Sequence, residues 1–237
     1  MQKISLNGTQ LKIIAMLAML IDHIGAAMLA PMLAAGVLSP EWSEIYRALR
    51  LIGRSSFPIY CFLLAEGAAH TRSMGHYALR LGALAVLSEI PFDLAFHGTV
   101  LESGANNIYF TLLISLLMLW GVQIFSGQPE NIRPWCIGGI ALASMIAAEL
   151  LHCDYGAAGV AAVLACFLLR RQPLWGGAIS VFVLMQLTGN PNQVAGIAIV
   201  PLLYCYNGQR GCGGTYGFYL FYPVHLLILA GIPAAIL

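Results

Sequence analysis

Residues Leu11 to Ala35 read LKIIAMLAMLIDHIGAAMLAPMLAA. A chain this apolar has to satisfy its backbone hydrogen bonds within itself, and in hydrocarbon a helix does so. The run exceeds the roughly 20 residues needed to cross a bilayer. It also carries three ionisable residues, Lys12, Asp22 and His23. Such groups are costly in hydrocarbon and mark functional sites by default. Lys12 and His23 are eleven positions apart, about three helical turns. Both therefore project from one face, about 16 Å apart along the axis.

The rest of the chain repeats this pattern. Of its 237 residues, 59% are hydrophobic and 9% charged, against about 25% charged in soluble domains. The class expected is all-α, a polytopic membrane helical bundle. The alternating segments of a membrane β-barrel are absent. Polar breaks leave about nine apolar segments, near 11–34, 51–69, 77–97, 108–126, 135–152, 156–170, 174–189, 194–206 and 216–236. About nine transmembrane helices are expected, in one domain, residues 1–237. The first run is too long for the apolar core of a signal peptide and lacks a clear cleavage site, so it is expected to stay. The six cysteines are scattered without a CxxC, so neither a metal site nor a disulfide framework is expected. No basic run points to nucleic acid.

Short-loop charge sets the orientation. With nine spans, Lys3, Arg72, Arg133, Arg170, Arg171 and Arg210 fall on one side, with Lys12 and Arg80 at helix ends. The expected location is the bacterial cytoplasmic (inner) membrane, with the N-terminus in the cytoplasm. The first loop is the exception. WSEIYRALRLIGR reads as an amphipathic helix at the outer interface, anchored by Trp42 and Tyr46.

His23 is the best candidate for a general base, since imidazole titrates near neutrality. Asp22 either orients it or pairs with another helix. Lys12, at the cytoplasmic end, reads as a snorkelling lysine or as a phosphate contact. Arg47, Arg50 and Arg54, at i, i+3 and i+7, form one guanidinium stripe suited to an acceptor or another anion, or to lipid headgroups. Arg72, His76 and Arg80 share a face if helical, and suit either a nucleotide phosphate or ordinary cytoplasmic charge. Glu66, Glu89, Asp93 and Glu149 place acids inside spans. Glu89 and Asp93 flank Pro91, which should kink their helix. Asn107 enters the fourth span, Asp154-Tyr155-Gly156 makes a tight turn, and His225 is a second intramembrane histidine. These residues suit an enzyme. They also suit a proton-coupled transporter or ion pathway, or an assembly factor whose acids only pair helices.

Six motifs, LIDHIG, RLIGRSSFPIYCFLLAEGAAHTR, LSEIPFDLAF, NIYFTLL, DYGAAG and YGFYLFYPVHLLIL, in that order, resemble the TraX family over nearly the whole chain. RxIGRxxFPI and SEIPFDL are the most specific. The family is named for a conjugal-transfer protein that acetylates pilin at its N-terminus. It looks like a distant part of the transmembrane acyltransferases, with bacterial sugar O-acetyltransferases and the lysosomal heparan-glucosaminide acetyltransferase. The sugar-modifying members carry Arg or Lys, ten residues, then His in their first helix. Lys12 and His23 fit that spacing. The resemblance implies a catalytic His23 and a Lys12 that helps hold acyl-CoA. It places Arg54, Glu89, Asp93 and Asn107 in family motifs without a firm role.

The expectation is a membrane acyltransferase with acetyl-CoA as co-substrate and no metal. Phosphates would sit near Lys12, Arg72 and Arg80, and the thioester near His23 with Asp22 supporting. The acceptor, a sugar, lipid, peptide N-terminus or small molecule, would meet Arg47, Arg50 and Arg54. Glu66, Glu89, Asp93, Asn107, Asp154 and His225 would be supporting polar groups.

Overall fold

The computed structural model describes residues 5–213 and 215–236, so Lys3 lies outside them. All the regular structure among these residues is helical. The helices are α1 (Gly8–His23), α2 (Ala30–Ala34), α3 (Trp42–Gly53), α4 (Ser56–His70), α5 (Met74–Phe96), α6 (Ile108–Ile124), α7 (Arg133–Leu150), α8 (Gly156–Leu168), α9 (Pro173–Thr188), α10 (Ile199–Tyr204) and α11 (Thr215–Ile236). Every expected apolar segment contains helix, and the amphipathic stretch forms α3. Four helical stretches are long and apolar enough to cross a membrane: Gly8–Ala34, Trp42–His70, Ile108–Gly127 and Gly217–Ile236. Helix α5 is long enough, but it carries Arg80, Glu89 and Asp93. Large apolar side chains face outward in number, with Trp135 82% and Leu79 70% exposed. Lipid, unlike water, solvates such a surface at no cost.

The local chemistry accounts for the boundaries. Asn7 caps α1 through a reciprocal pair: its Oδ1 accepts from the Gln10 amide at 3.0 Å, and Gln10 Oε1 accepts from the Asn7 amide at 2.9 Å. After His23 the helix widens into a π-helical turn, Ile24–Leu29, in which the Ala30 amide bonds to the Gly25 carbonyl. Pro31 follows. Its ring would press on the carbonyl four residues back in an α-helix, and the wider turn relieves that contact. The second apolar segment starts later than expected. Helix α3 runs on to Gly53, and α4 begins at Ser56 with Pro58 in its first turn, where no amide is needed. Helix α5 is continuous through Pro91. The eighth segment is a 3-10 stretch, Pro191–Ala198, joined to the short α10. Prolines at 191 and 201 work against a single long helix there.

The chain divides into two compact units. The first comprises Met1–Tyr60, Leu87–Glu102 and Asn192–Leu237. In it α1 packs on α3 and α11. Contact with α3 is close because glycine lies at the crossing. A Cβ on Gly25 would stand 3.3 Å from the Arg50 side chain, and one on Gly53 would collide with Asp22. Ser56 Oγ also donates to the Ala15 carbonyl at 2.9 Å. The second unit comprises Cys61–Val86 and Ser103–Pro191. Small residues bring its helices together too. A Cβ on Gly176 of α9 would stand 3.5 Å from the Cys166 backbone of α8, and one on Gly121 of α6 would stand 3.0 Å from Ile140 of α7.

Candidate active site: a histidine pair beside an arginine-held carboxylate

The first unit gathers His23 and Asp22 of α1, Arg50 of α3, Arg54, and His225 of α11. His23 Nδ1 lies 2.7 Å from His225 Nε2. Their ring planes are 10° from parallel. The N···N contact is closer than face-to-face rings can approach, so the imidazoles meet edge to edge through a hydrogen bond. His225 Nδ1 lies 2.7 Å from the Phe221 carbonyl oxygen.

That carbonyl can only accept, and this fixes the protons. His225 Nδ1 carries a hydrogen and donates it to Phe221. In a neutral His225 the other nitrogen, Nε2, then holds a lone pair and accepts from His23 Nδ1–H. A neutral His23 is left with its lone pair on Nε2, which makes no hydrogen bond among the described residues. Phe96 and Tyr222 meet His23 in T-shaped contacts, with centroids 5.3 and 5.9 Å away. His225 is buried and His23 half-buried.

Asp22 is held by arginine. Its Oδ2 accepts from Arg50 Nη1 at 2.6 Å and its Oδ1 from Arg54 Nη2 at 2.9 Å. Arg54 Nε also donates to the Arg50 carbonyl at 3.1 Å. The Arg54 side chain is 9% exposed, Asp22 14% and Arg50 31%. Of the two alternatives for Asp22, the structure shows the arginines, and the group that orients His23 is His225. Two guanidinium groups against one carboxylate leave net positive charge beside His23, within electrostatic reach of its ring. Arg47 stands apart on the exposed side of α3, paired with Glu44.

Lys12 and His23 both meet α11. The Lys12 ammonium lies 4.9 Å from the centre of the Phe218 ring, one end of α11, and His23 meets His225 further along. Helices α1 and α11 therefore run in the same direction. The remaining candidates are dispersed. Asp93 is fully buried in the first unit. Its Oδ2 accepts from the Glu102 amide at 2.9 Å, and its Oδ1 has no hydrogen-bond partner among the described residues. Glu89, half-buried, lies one turn earlier on α5.

Arg72 and Arg80 lie in the second unit, both exposed. Arg72 sits in the turn before α5, so it does not share a helical face with His76 and Arg80. Arg80 lies over Tyr77 at 5.6 Å, and His76 Nδ1 bonds to Ser73 Oγ at 2.8 Å. Glu66 is half-buried on α4. Asn107 caps α6, accepting from the Tyr109 amide at 3.0 Å and donating to the Ala85 carbonyl at 2.7 Å. The Asp154 carbonyl accepts from Thr111 Oγ1, and Tyr155 takes a left-handed backbone with φ 62°. The capping bond at α8 comes from Glu149, whose Oε1 accepts from the Ala157 amide at 2.7 Å.

Sequence comparison assigns the family. Residues 7–233 match the family described as TraX protein. The chain belongs to the TraX family. A relative from Dichelobacter nodosus, named as a probable fimbrial assembly protein FimC of serogroup H1, is 30% identical, with 96% of each chain covered. No solved structure matches.

The pairings at the TraX site had no sequence signal of their own. His225 was visible as an intramembrane histidine, but its pairing with His23 spans 202 positions. Phe96, Tyr222 and the Phe221 carbonyl became partners only through packing. Gly53 lies within the RLIGR motif, where a glycine next to an arginine stripe is a legible sign of close helix approach.

Proposed function

We propose that this TraX chain is a polytopic protein of the bacterial inner membrane, with its N-terminus in the cytoplasm and about nine crossings, that moves an acetyl or other short acyl group from acyl-CoA to an amine or hydroxyl acceptor. The observation that carries this reading is the directed chain His23 Nδ1–H to His225 Nε2, and His225 Nδ1–H to the Phe221 carbonyl. It presents His23 Nε2 as an unprotonated base of fixed orientation. The family's association with pilin acetylation, and the fimbrial name of the Dichelobacter relative, favour a pilus subunit as acceptor.

In this mechanism His23 Nε2 removes the proton from the acceptor nitrogen or oxygen as that atom attacks the thioester carbonyl. The carbonyl oxygen gains negative charge. Arg50 uses one of its five donors on Asp22 among the described residues, so it has others to offer that oxygen. Collapse expels the CoA sulfur, and the proton on His23 Nε2 passes to it as CoA leaves. The N–C or O–C bond is formed, the C–S bond is broken, and His23 is restored to its starting tautomer. His225 holds the ring in place throughout.

The test is thiol release by the full chain in lipid nanodiscs, supplied with acetyl-CoA and candidate acceptors including a pilin N-terminal peptide. Wild type is expected to turn over, and His23→Gln to lose about 10³-fold while keeping its thermal unfolding temperature. Wild-type protein that binds no acyl-CoA and releases no thiol with any acceptor class would sink the reading.

A further inference from the structure

The segment from Cys205 to Gly213 is stitched along the start of α1. The Leu6 amide bonds to the Cys205 carbonyl at 2.7 Å, the Asn207 amide to the Leu6 carbonyl at 2.9 Å, and the Gly8 amide to the Gln209 carbonyl at 2.7 Å. The Thr9 amide and hydroxyl both donate to the Arg210 carbonyl, at 2.9 and 3.1 Å. Within the segment, the Gln209 amide bonds to Asn207 Oδ1 at 2.9 Å. Gly208 and Gly211 have φ of 74° and 77°, which L side chains adopt only at a cost. A Cβ on Gly211 would strike Asn7. This backbone is built to lie at one place.

What it places there is Arg210, the sole charged residue of Cys205–Gly213. Thr9 and Lys12 share a face of α1 one turn apart, so holding Arg210 at Thr9 brings it beside Lys12. The two charges are close enough to repel. Among the described residues neither is in an ion pair. Lys12 has the Phe218 face, and the Arg210 side chain stands exposed. The first turn of α1 is already served by its own Asn7–Gln10 pair, so the cations are not there to complete the fold. Two like charges held together by a pinned backbone oppose each other unless an anion sits between them.

From this juxtaposition we infer that Arg210 and Lys12 form a phosphate-binding mouth for a nucleotide-bearing ligand, with Arg210 the specific contact. The inference rests on the acyltransferase reading for naming that ligand as acyl-CoA. The guanidinium fork suits a phosphate bidentately, and Lys12 adds a point charge. His23 is about 16 Å further along the same helix face, so phosphates held here leave the thioester end free to extend toward the histidine pair. Glycine at 208 and 211 is then a requirement of binding as well as of folding.

The experiment measures equilibrium binding of adenosine 3′,5′-bisphosphate, the phosphorylated head of CoA without its thioester arm, to the full chain in nanodiscs. Arg210→Gln is expected to weaken binding about tenfold and to flatten its salt dependence, with Arg210→Lys recovering part of the loss. The thermal unfolding temperature should stay within a degree or two, because the loop is held through backbone groups. Undiminished binding in Arg210→Gln, or no binding to wild type, would overturn the inference. Thiol release from acetyl-CoA reports separately on the acyltransferase reading. Turnover with unchanged nucleotide binding in Arg210→Gln rejects the mouth and keeps the enzyme. Arg210-dependent nucleotide binding without turnover keeps the mouth and rejects the enzyme.

Discussion

Around His23 in the first unit, ionisable side chains bond to one another: Asp22 to Arg50 and Arg54, His23 to His225. In the second, polar side chains within apolar helices bond to the backbone. Asn107 donates to Ala85, Thr111 to Asp154, Gln123 to Ala68 at 2.9 Å, and Glu149 accepts from Ala157. Side chain to side chain bonds are the minority class in proteins, about 10–15%. A bond to a fixed carbonyl or amide fastens a helix end. A bond between two ionisable groups leaves protons and charge that can be redistributed. Polar side chains in an apolar chain thus act as fasteners in one unit, while around His23 in the other they form a cluster of ionisable groups.

Substitutions sharpen this contrast. After His23 itself, the largest expected effect is at His225. His225→Ala removes the acceptor that fixes the tautomer of His23, and turnover should fall about 10²-fold with acyl-CoA binding retained. A His225→Ala enzyme with wild-type turnover would show that the pair only packs helices. Next is Asp22→Ala, which removes the carboxylate that Arg50 and Arg54 both bond. Unfolding stability in detergent should drop by about 3 kcal/mol. A double-mutant cycle with Arg54→Gln should recover a large part of the loss. If the two changes simply add, the pair is not a unit.

The second unit is expected to respond in stability alone. Asn107→Ala removes the cap of α6 and its bond to the Ala85 carbonyl, for about 2 kcal/mol, and molecules that remain folded should turn over normally. Loss of turnover beyond the unfolded fraction would place Asn107 with the reactive groups. The smallest effect is at exposed Glu149, where Glu149→Ala removes one capping bond. It should lower stability by about 1 kcal/mol and leave thiol release untouched.

The helices were legible because an apolar run separated by polar breaks has a single low-energy local solution in lipid. Their ends were less so. The start of α4 shifted because α3 runs on to Gly53, and the 194–206 segment changed form because Pro191 precedes it and Pro201 lies inside it. At the site, Lys12 and His23 could be matched because helical periodicity fixes positions within one segment. His225 could be flagged but not paired, since its register against α1 depends on packing between distant segments. Arg50 and Arg54 could be grouped by spacing, yet Arg47 on the same stripe turned out to pair with Glu44. A stripe predicts a shared face, while the width of the contact decides which of its members are covered. Arg210 was legible only as loop charge. Its position follows from backbone bonds that no periodicity encodes.

The π-helical turn at Ile24–Leu29 has a consequence for any scan along this helix. A π turn holds one residue more than an α turn for nearly the same advance. Labelling single introduced cysteines from Gly8 to Ala34 should therefore give a reactivity wave that keeps one phase up to His23, slips by about 100° across the wide turn, and resumes its period in a new phase beyond Ala30.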